Sequence, residues 1–182
     1  MNKKTKTIIA VGGTGGHVIP GYNLAKHLYE KNFSVEIVSD KRGDKYINKK
    51  NNFKVFILPS SRLNTKNMIT FLISSMMILY SILRSLFFLI INRPKLIFGM
   101  GGYASFPICI AASILRIKFL IYENNLIIGK ANKYLLPFAE KILISYKEIE
   151  GIHQKYTNKV VEIGNIIKKE IINFAKDYKL ND

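Results

Sequence analysis

Seven short apolar runs recur along this chain, and helical patterns lie between most of them. The runs fall at residues 7–11, 35–39, 53–58, 96–99, 119–122, 141–145 and 160–163, and the helical patterns at 18–31, 67–92, 103–115 and 130–135. Runs that are apolar throughout, rather than alternating, belong to strands buried on both faces. The order therefore predicts a parallel sheet with helices packed above and below it. Right-handed crossovers turn that order into a doubly wound, mainly parallel, Rossmann-like α/β sheet, with ligands at the carboxyl ends of the strands. A length of 182 residues suits one such domain. Residues 41–52 are polar and charged and read as a loop with at most a short helix.

The stretch VGGTGGHVIP at 11–20 sets Gly12, Gly13, Gly15 and Gly16 between the first strand and the first helix. Glycine lets the backbone turn sharply and lets a ligand approach the main chain without a Cβ in the way. The free N–H groups opening the next helix then make an anion site, suited to a phosphate or diphosphate. His17 stands at the mouth of this loop. The G-x-G-x-x-G dinucleotide fingerprint fails, because the third glycine would fall at Val18, and no Gly-Lys-Ser/Thr follows for a P-loop. Asp40, at the end of the second strand, keeps a ribose-binding, nicotinamide-dinucleotide reading open. The plainer alternatives are a tight turn with close helix–strand packing for the glycines and a local bond at the helix start for His17.

A second loop, GMGGYAS at 99–105, repeats the arrangement of strand, glycines and helix. Two such loops at one sheet edge predict a basin lined by backbone N–H groups, matched to a diphosphate bridging two organic halves. Tyr122-Glu123-Asn124-Asn125 closes the fifth strand. Its carboxylate and amides either bond sugar hydroxyls or support one another.

Residues 68–91 are almost wholly apolar and long enough to cross a bilayer core. On a helical wheel, Lys66, Asn67, Thr70, Ser74, Ser81, Arg84, Ser85 and Asn92 fall in one narrow stripe, and only Ser75 lies outside it. A broad apolar face beside a narrow polar stripe suits an interfacial helix of a peripheral protein, with Phe87 and Phe88 expected on the lipid side. Lys66, Arg84 and Arg93 would favour anionic headgroups. A core helix, or a helix under a partner domain, is the alternative.

The net charge of +16, from 28 Lys and Arg against 12 Asp and Glu, points to an anionic partner or reflects a lysine-rich composition. No nucleic-acid recognition motif accompanies it, so no nucleic acid is expected as a partner. The single Cys109 excludes an internal disulfide. The apolar run after the basic N-terminus is too short for a signal-peptide core. No metal-ligand cluster stands in the sequence, and no cofactor is expected.

Taken together, GGTGGH at 12–17, GMGGYAS at 99–105, ENN at 123–125, the Gly129, Asn132, Lys133 pattern and GN at 164–165 resemble one family. In order and spacing they are similar to the amino-terminal half of MurG-type UDP-N-acetylglucosamine transferases, over residues 6 to about 172. The resemblance implies the first domain of a GT-B fold, with residues 1–165 as an acceptor-binding domain and 166–182 beginning an interdomain linker. It also implies that a donor-binding second domain is absent and that the chain alone lacks most of the UDP-GlcNAc site. The family transfers GlcNAc from UDP-GlcNAc to lipid I at the cytoplasmic face of the inner membrane, peripherally, on an anionic surface.

By position, the resemblance assigns His17 to assisting the acceptor hydroxyl. It places Thr14, Gly15, Gly16 and Asn125 at donor-contacting or cleft-lining positions. Gly101, Gly102, Tyr103, Glu123 and Lys168 complete the expected substrate-binding set. The family usually carries Glu-Gln-Asn where Glu123-Asn124-Asn125 stands, and Gly-Asn-Pro-Val-Arg where residues 164–168 read GNIIK. Lys168 keeps the charge without arginine's fork. Two alternatives accompany this reading: a non-catalytic, acceptor-binding subunit that works with a separate donor-binding chain, and an inactive truncated product.

Overall fold

The computed structural model describes residues 5–48 and 53–167. Seven strands form one sheet: β1 (Lys6–Ala10), β2 (Ser34–Ser39), β3 (Lys54–Ile57), β4 (Leu96–Gly99), β5 (Phe119–Glu123), β6 (Lys141–Ile144) and β7 (Val160–Glu162). Every pair is parallel and the spatial order is β3-β2-β1-β4-β5-β6-β7. Four helices alternate with them: α1 (Gly15–Glu30), α2 (Met68–Asn92), α3 (Ser105–Ile114) and α4 (Lys130–Leu135). This is the Rossmann-like, doubly wound sheet that the apolar runs predict, within one or two residues at most strand ends.

Alternation along the strands sends side chains to two cores. From β1, Ile8 and Ala10 join a cluster with Leu89 of α2 and Ile108 of α3, while Ile9 pairs with Val18 and Ala25 of α1 in the other. The strand order reverses at β1, which lies between β2 and β4, and that reversal opens a crevice at the strands' carboxyl ends. Register places both glycine loops there. Ala10 pairs with Gly99, and the Met100 N–H donates to the Ala10 carbonyl at 2.9 Å.

Two local features depart from expectation. Helix α1 begins at Gly15 rather than at 18, because Thr14 is its N-cap and the two glycines form its first turn. The 3₁₀ turn Gln154–Lys159 lies before β7 where no helix was expected, whereas the 3₁₀ turn Gly43–Tyr46 agrees with the short helix expected at most in the polar stretch after β2.

Helix α2 is the crossover from β3 to β4, and its polar stripe faces inward. Ser74, Ser81 and Ser85 are buried. The Ser81 hydroxyl reaches the Pro59 carbonyl at 2.6 Å, and Ser74 Oγ accepts from the Asn64 N–H at 3.1 Å. Small serines let the helix approach the domain closely and satisfy backbone groups there. Asn67 and Thr70 form a capping box at its start. At its end the Asn92 side chain accepts from Lys6 Nζ at 2.6 Å. The outward face carries Met68, Ile69, Leu72, Met76, Leu83, Phe87 and Ile91, each more than half exposed. Phe88 departs from expectation. It is buried and stacks on Phe56 with centroids 4.2 Å apart, because it stands about 100° round the helix from Phe87.

Candidate functional site at the strand ends

The first glycine loop is built around Asp40. Its Oδ1 accepts the N–H of Gly13 at 3.0 Å and of Gly43 at 2.7 Å, while Oδ2 accepts from the Ser60 hydroxyl and from Arg42 at 3.1 Å. Burial pushes this carboxyl up, but the bonds from Gly13, Ser60, Gly43 and Arg42 outweigh it and hold it below its ordinary value. Asp40 is only 2% exposed. Its oxygens are spent on the loop, so it is not presented to a ribose, and the nicotinamide-dinucleotide reading loses its anchoring residue.

After Gly13 the chain enters α1. Thr14 is exposed, and its side chain makes no cap bond to the helix. The N–H groups of His17 and Val18 both reach the Thr14 carbonyl at 3.2 Å. Those of Gly15 and Gly16 lie in the turn where a helix has no acceptor of its own for them.

The second loop meets the first directly. Gly102 has φ +77°, and a Cβ there would lie 2.7 Å from the Gly12 carbonyl oxygen. A Cβ on Gly12 would fall 2.3 Å from that of Ala104. Both positions therefore need glycine, one for its φ as well as for the close approach. The basin expected between the loops is closed by this contact. His17 fills the remaining gap. Its ring lies on the second loop, where a Cβ on Gly101 would come 2.9 Å from Nδ1. Nδ1 is buried and has no hydrogen-bond partner. Burial lowers the imidazole pKa below 6.5, against the opposing pull of the Glu123 charge and the Met100 backbone. At neutral pH the ring is therefore the free base.

Glu123, 1% exposed, supports the loop that follows it. One oxygen accepts from the Asn125 backbone N–H at 3.1 Å and the Asn125 side chain at 2.7 Å. The other accepts from the Gly129 N–H at 2.8 Å and Asn132 at 3.0 Å. Of the two roles open to Glu123 in the sequence, this geometry gives it the supporting one. Asn125 itself is exposed at the rim, with its amide nitrogen turned inward to the carboxylate. Tyr103 is half-buried just before α3. Lys168 lies outside the described residues.

A cleft of about 470 Å³ opens beside the first loop rather than between the two. Gly15, Gly16, Pro20 and Asn23 form one wall, Tyr122 and Asn124 the floor, and residues 165–167 the other wall. The Tyr122 hydroxyl holds that far wall, lying 2.7 Å from Ser145 Oγ and accepting the Ile166 N–H at 3.2 Å. Gly15 and Gly16 line this cleft, whereas Gly101 and Gly102 lie against the His17 ring. Asn23 and Tyr122 were not read as site residues. One is a helix residue and the other the end of an apolar strand, and only the tertiary fold faces them to the cleft.

Residues 7–144 match the family described as the glycosyltransferase family 28 N-terminal domain. A curated relative from Pelagibacter ubique is a UDP-N-acetylglucosamine--N-acetylmuramyl-(pentapeptide) pyrophosphoryl-undecaprenol N-acetylglucosamine transferase. It is 37% identical over 98% of this chain and 48% of its own length. The chain spans about half the length of the curated relatives it matches. Among solved structures, Acinetobacter baumannii MurG superposes with a TM-score of 0.74 at 20% identity, over 98% of this chain and 50% of that one. Neisseria meningitidis UDP-GlcNAc 2-epimerase, bound to UDP-GlcNAc, superposes with a TM-score of 0.63 at 17% identity, over 97% and 50%. At these identities the structural likenesses speak to the fold alone.

Proposed function

The chain belongs to the glycosyltransferase family 28 N-terminal domain family, and on that premise we propose that it is the acceptor-binding, membrane-facing domain of a peptidoglycan glycosyltransferase. The reaction would move GlcNAc from UDP-GlcNAc to lipid I, the undecaprenyl-diphosphoryl-muramyl-pentapeptide, as the name of the Pelagibacter relative describes for that protein. The observation that carries this reading is His17. It is an imidazole kept as the free base by burial, seated where two glycine loops meet and beside the helix-end N–H groups of Gly15 and Gly16.

In the proposed step the C4 hydroxyl of the muramyl sugar attacks the anomeric carbon of GlcNAc. The bond from that carbon to the UDP oxygen breaks, configuration inverts, and the hydroxyl proton passes to His17. Gly15 and Gly16 would face the acceptor diphosphate, and Asn125 the sugars at the rim. UDP-GlcNAc and lipid I are the partners of this reading, and no cofactor enters it.

Membrane placement is part of the proposal. The outward face of α2 is apolar from Met68 to Ile91, with Lys66 and Arg93 at its ends. By length and composition α2 could cross a bilayer. Its serine face and its carboxyl end are bonded to the domain, which favours lying in the interface, peripherally, at the cytoplasmic face of the inner membrane.

The test is His17→Ala, assayed with the donor half of a relative supplied as a fusion or second chain. Turnover should fall by roughly 10²–10⁴-fold, the usual worth of a general base, with the KM for acceptor little changed. Full activity would remove His17 from the mechanism. A lower melting temperature at unchanged rate would make it a supporting residue of the helix start.

A further inference from the structure

Helix α1 contains a defect that a side chain from the loop after β5 repairs. Pro20 lies inside the helix, six residues past the N-cap Thr14 and beyond the turn where a missing N–H costs nothing. Proline has no N–H, so the Gly16 carbonyl, four residues earlier, loses the donor that an ordinary residue at 20 would give it. A carbonyl on the wall of an open cleft is then left to water or to a side chain from elsewhere in the fold. Asn124 supplies the donor, with Nδ2 donating to the Gly16 oxygen at 2.9 Å across 108 residues of sequence. Asn124 is the first residue after β5 and stands between Glu123 and Asn125.

We propose that Asn124 is a positioning residue: it replaces the hydrogen bond that Pro20 removes and thereby fixes the first turn of α1 against the end of β5. The two elements carry His17 and Asn125, so the bond sets the spacing between the group proposed to take the proton and the amide at the rim. An ordinary residue at 20 would satisfy Gly16 from within the helix, and the turn would have no tie to the neighbouring loop. The neighbouring loop is itself fixed, because the Glu123 carboxylate holds Asn125, Gly129 and Asn132. The clamp therefore joins a rigid support to the helix start. Its functional meaning rests on the reading of His17 and Asn125 given above, whereas the clamp itself is testable without any substrate.

Asn124→Ala, Pro20→Ala and their double, made in the whole chain, form a cycle read by denaturant unfolding. Asn124→Ala alone should lower the folding equilibrium constant about three- to tenfold, the net worth of one hydrogen bond. With Pro20→Ala, residue 20 regains an N–H for the Gly16 carbonyl, and the same change should then cost less than about twofold. Asn124→Gln, which keeps the amide donor, should lie nearer the wild type than Asn124→Ala. The second readout is the NMR titration of the His17 ring, which should have its midpoint below 6.5 in the wild type. Asn124→Ala should raise that midpoint toward 6.5 as the loosened turn admits water, and the double variant should restore the low value. Equal cost of Asn124→Ala in both backgrounds would overturn the clamp. An unmoved His17 midpoint would overturn its positioning role. Neither measurement involves a sugar nucleotide or a lipid, so failure of the transferase reading would leave both results standing.

Discussion

Asp40 closes two loops with one carboxylate, and the division between its oxygens makes its role separable by mutation. Oδ1 holds the Gly13 and Gly43 N–H groups, and Oδ2 holds Ser60 and Arg42. Asp40→Asn keeps the first pair and should cost about 1 kcal/mol, whereas Asp40→Ala strands buried donors and should cost about 2–4 kcal/mol by denaturant unfolding. The pH dependence has a definite sign. The folded pKa lies below the ordinary 3.8, so the stabilisation is present above that value and is lost as pH falls through the folded one. The wild type should lose stability more steeply than Asp40→Asn as pH falls below 3.8, and parallel curves would show that the charge contributes nothing. The sequence places an acid at a strand end but not the direction of its oxygens. That depends on Gly43 and Ser60, three and twenty residues further on, which composition and period do not connect to it. His17 was legible for a different reason. A histidine directly after a glycine turn has few places to go, and only its seat on Gly101 needed the fold.

At the scale of the element, α2 separates what periodicity reveals from what it leaves open. The wheel gives one polar stripe and one apolar face, and both exist. Which one meets the domain was not in the pattern, since a stripe of serines packs as closely as a stripe of alanines when its hydroxyls find backbone carbonyls. The two adjacent phenylalanines make the difference measurable. Phe87→Ser, on the outward face, should weaken flotation with anionic vesicles severalfold while leaving the melting temperature within a degree or two. Phe88→Ser removes the ring stacked on Phe56 and should destabilise the fold by about 3–5 kcal/mol. Vesicle binding unchanged by Phe87→Ser together with Leu83→Ser would contradict docking through this face. The inner strands were legible because buried parallel strands are apolar throughout, while β3 and β7 at the sheet edges are partly exposed. The 3₁₀ turn Gln154–Lys159 was not legible, because it buries no residue and so has no apolar period.

For the whole molecule, the strand order does most of the functional work. Placing β1 beside β4 brings two loops 80 or more residues apart in sequence into contact, and it carries α1 past the end of β5. The alternation of runs and helices foretold the sheet and the edge at which both glycine loops gather. It did not foretell that the loops would touch and leave the open volume beside Gly15 and Gly16, because that depends on a close approach between Gly12, Gly102 and Ala104. The cleft lies beside Gly16, which is exposed, and a Cβ there would meet nothing nearer than Thr14 Oγ1 at 3.7 Å. Gly16→Val should therefore fold normally while covering the helix-end N–H groups, unlike Gly102→Val, which collides with Gly12. Calorimetry of the whole chain with a water-soluble, short-prenyl analogue of the diphosphoryl-muramyl-pentapeptide tests acceptor binding most directly. The wild type should bind, His17→Ala should bind within about threefold of it, and Gly16→Val should lose at least about tenfold, or roughly 1.4 kcal/mol, at an unchanged melting temperature. Equal affinity in Gly16→Val, or no binding by the folded wild type, would contradict the assignment of this edge to the acceptor.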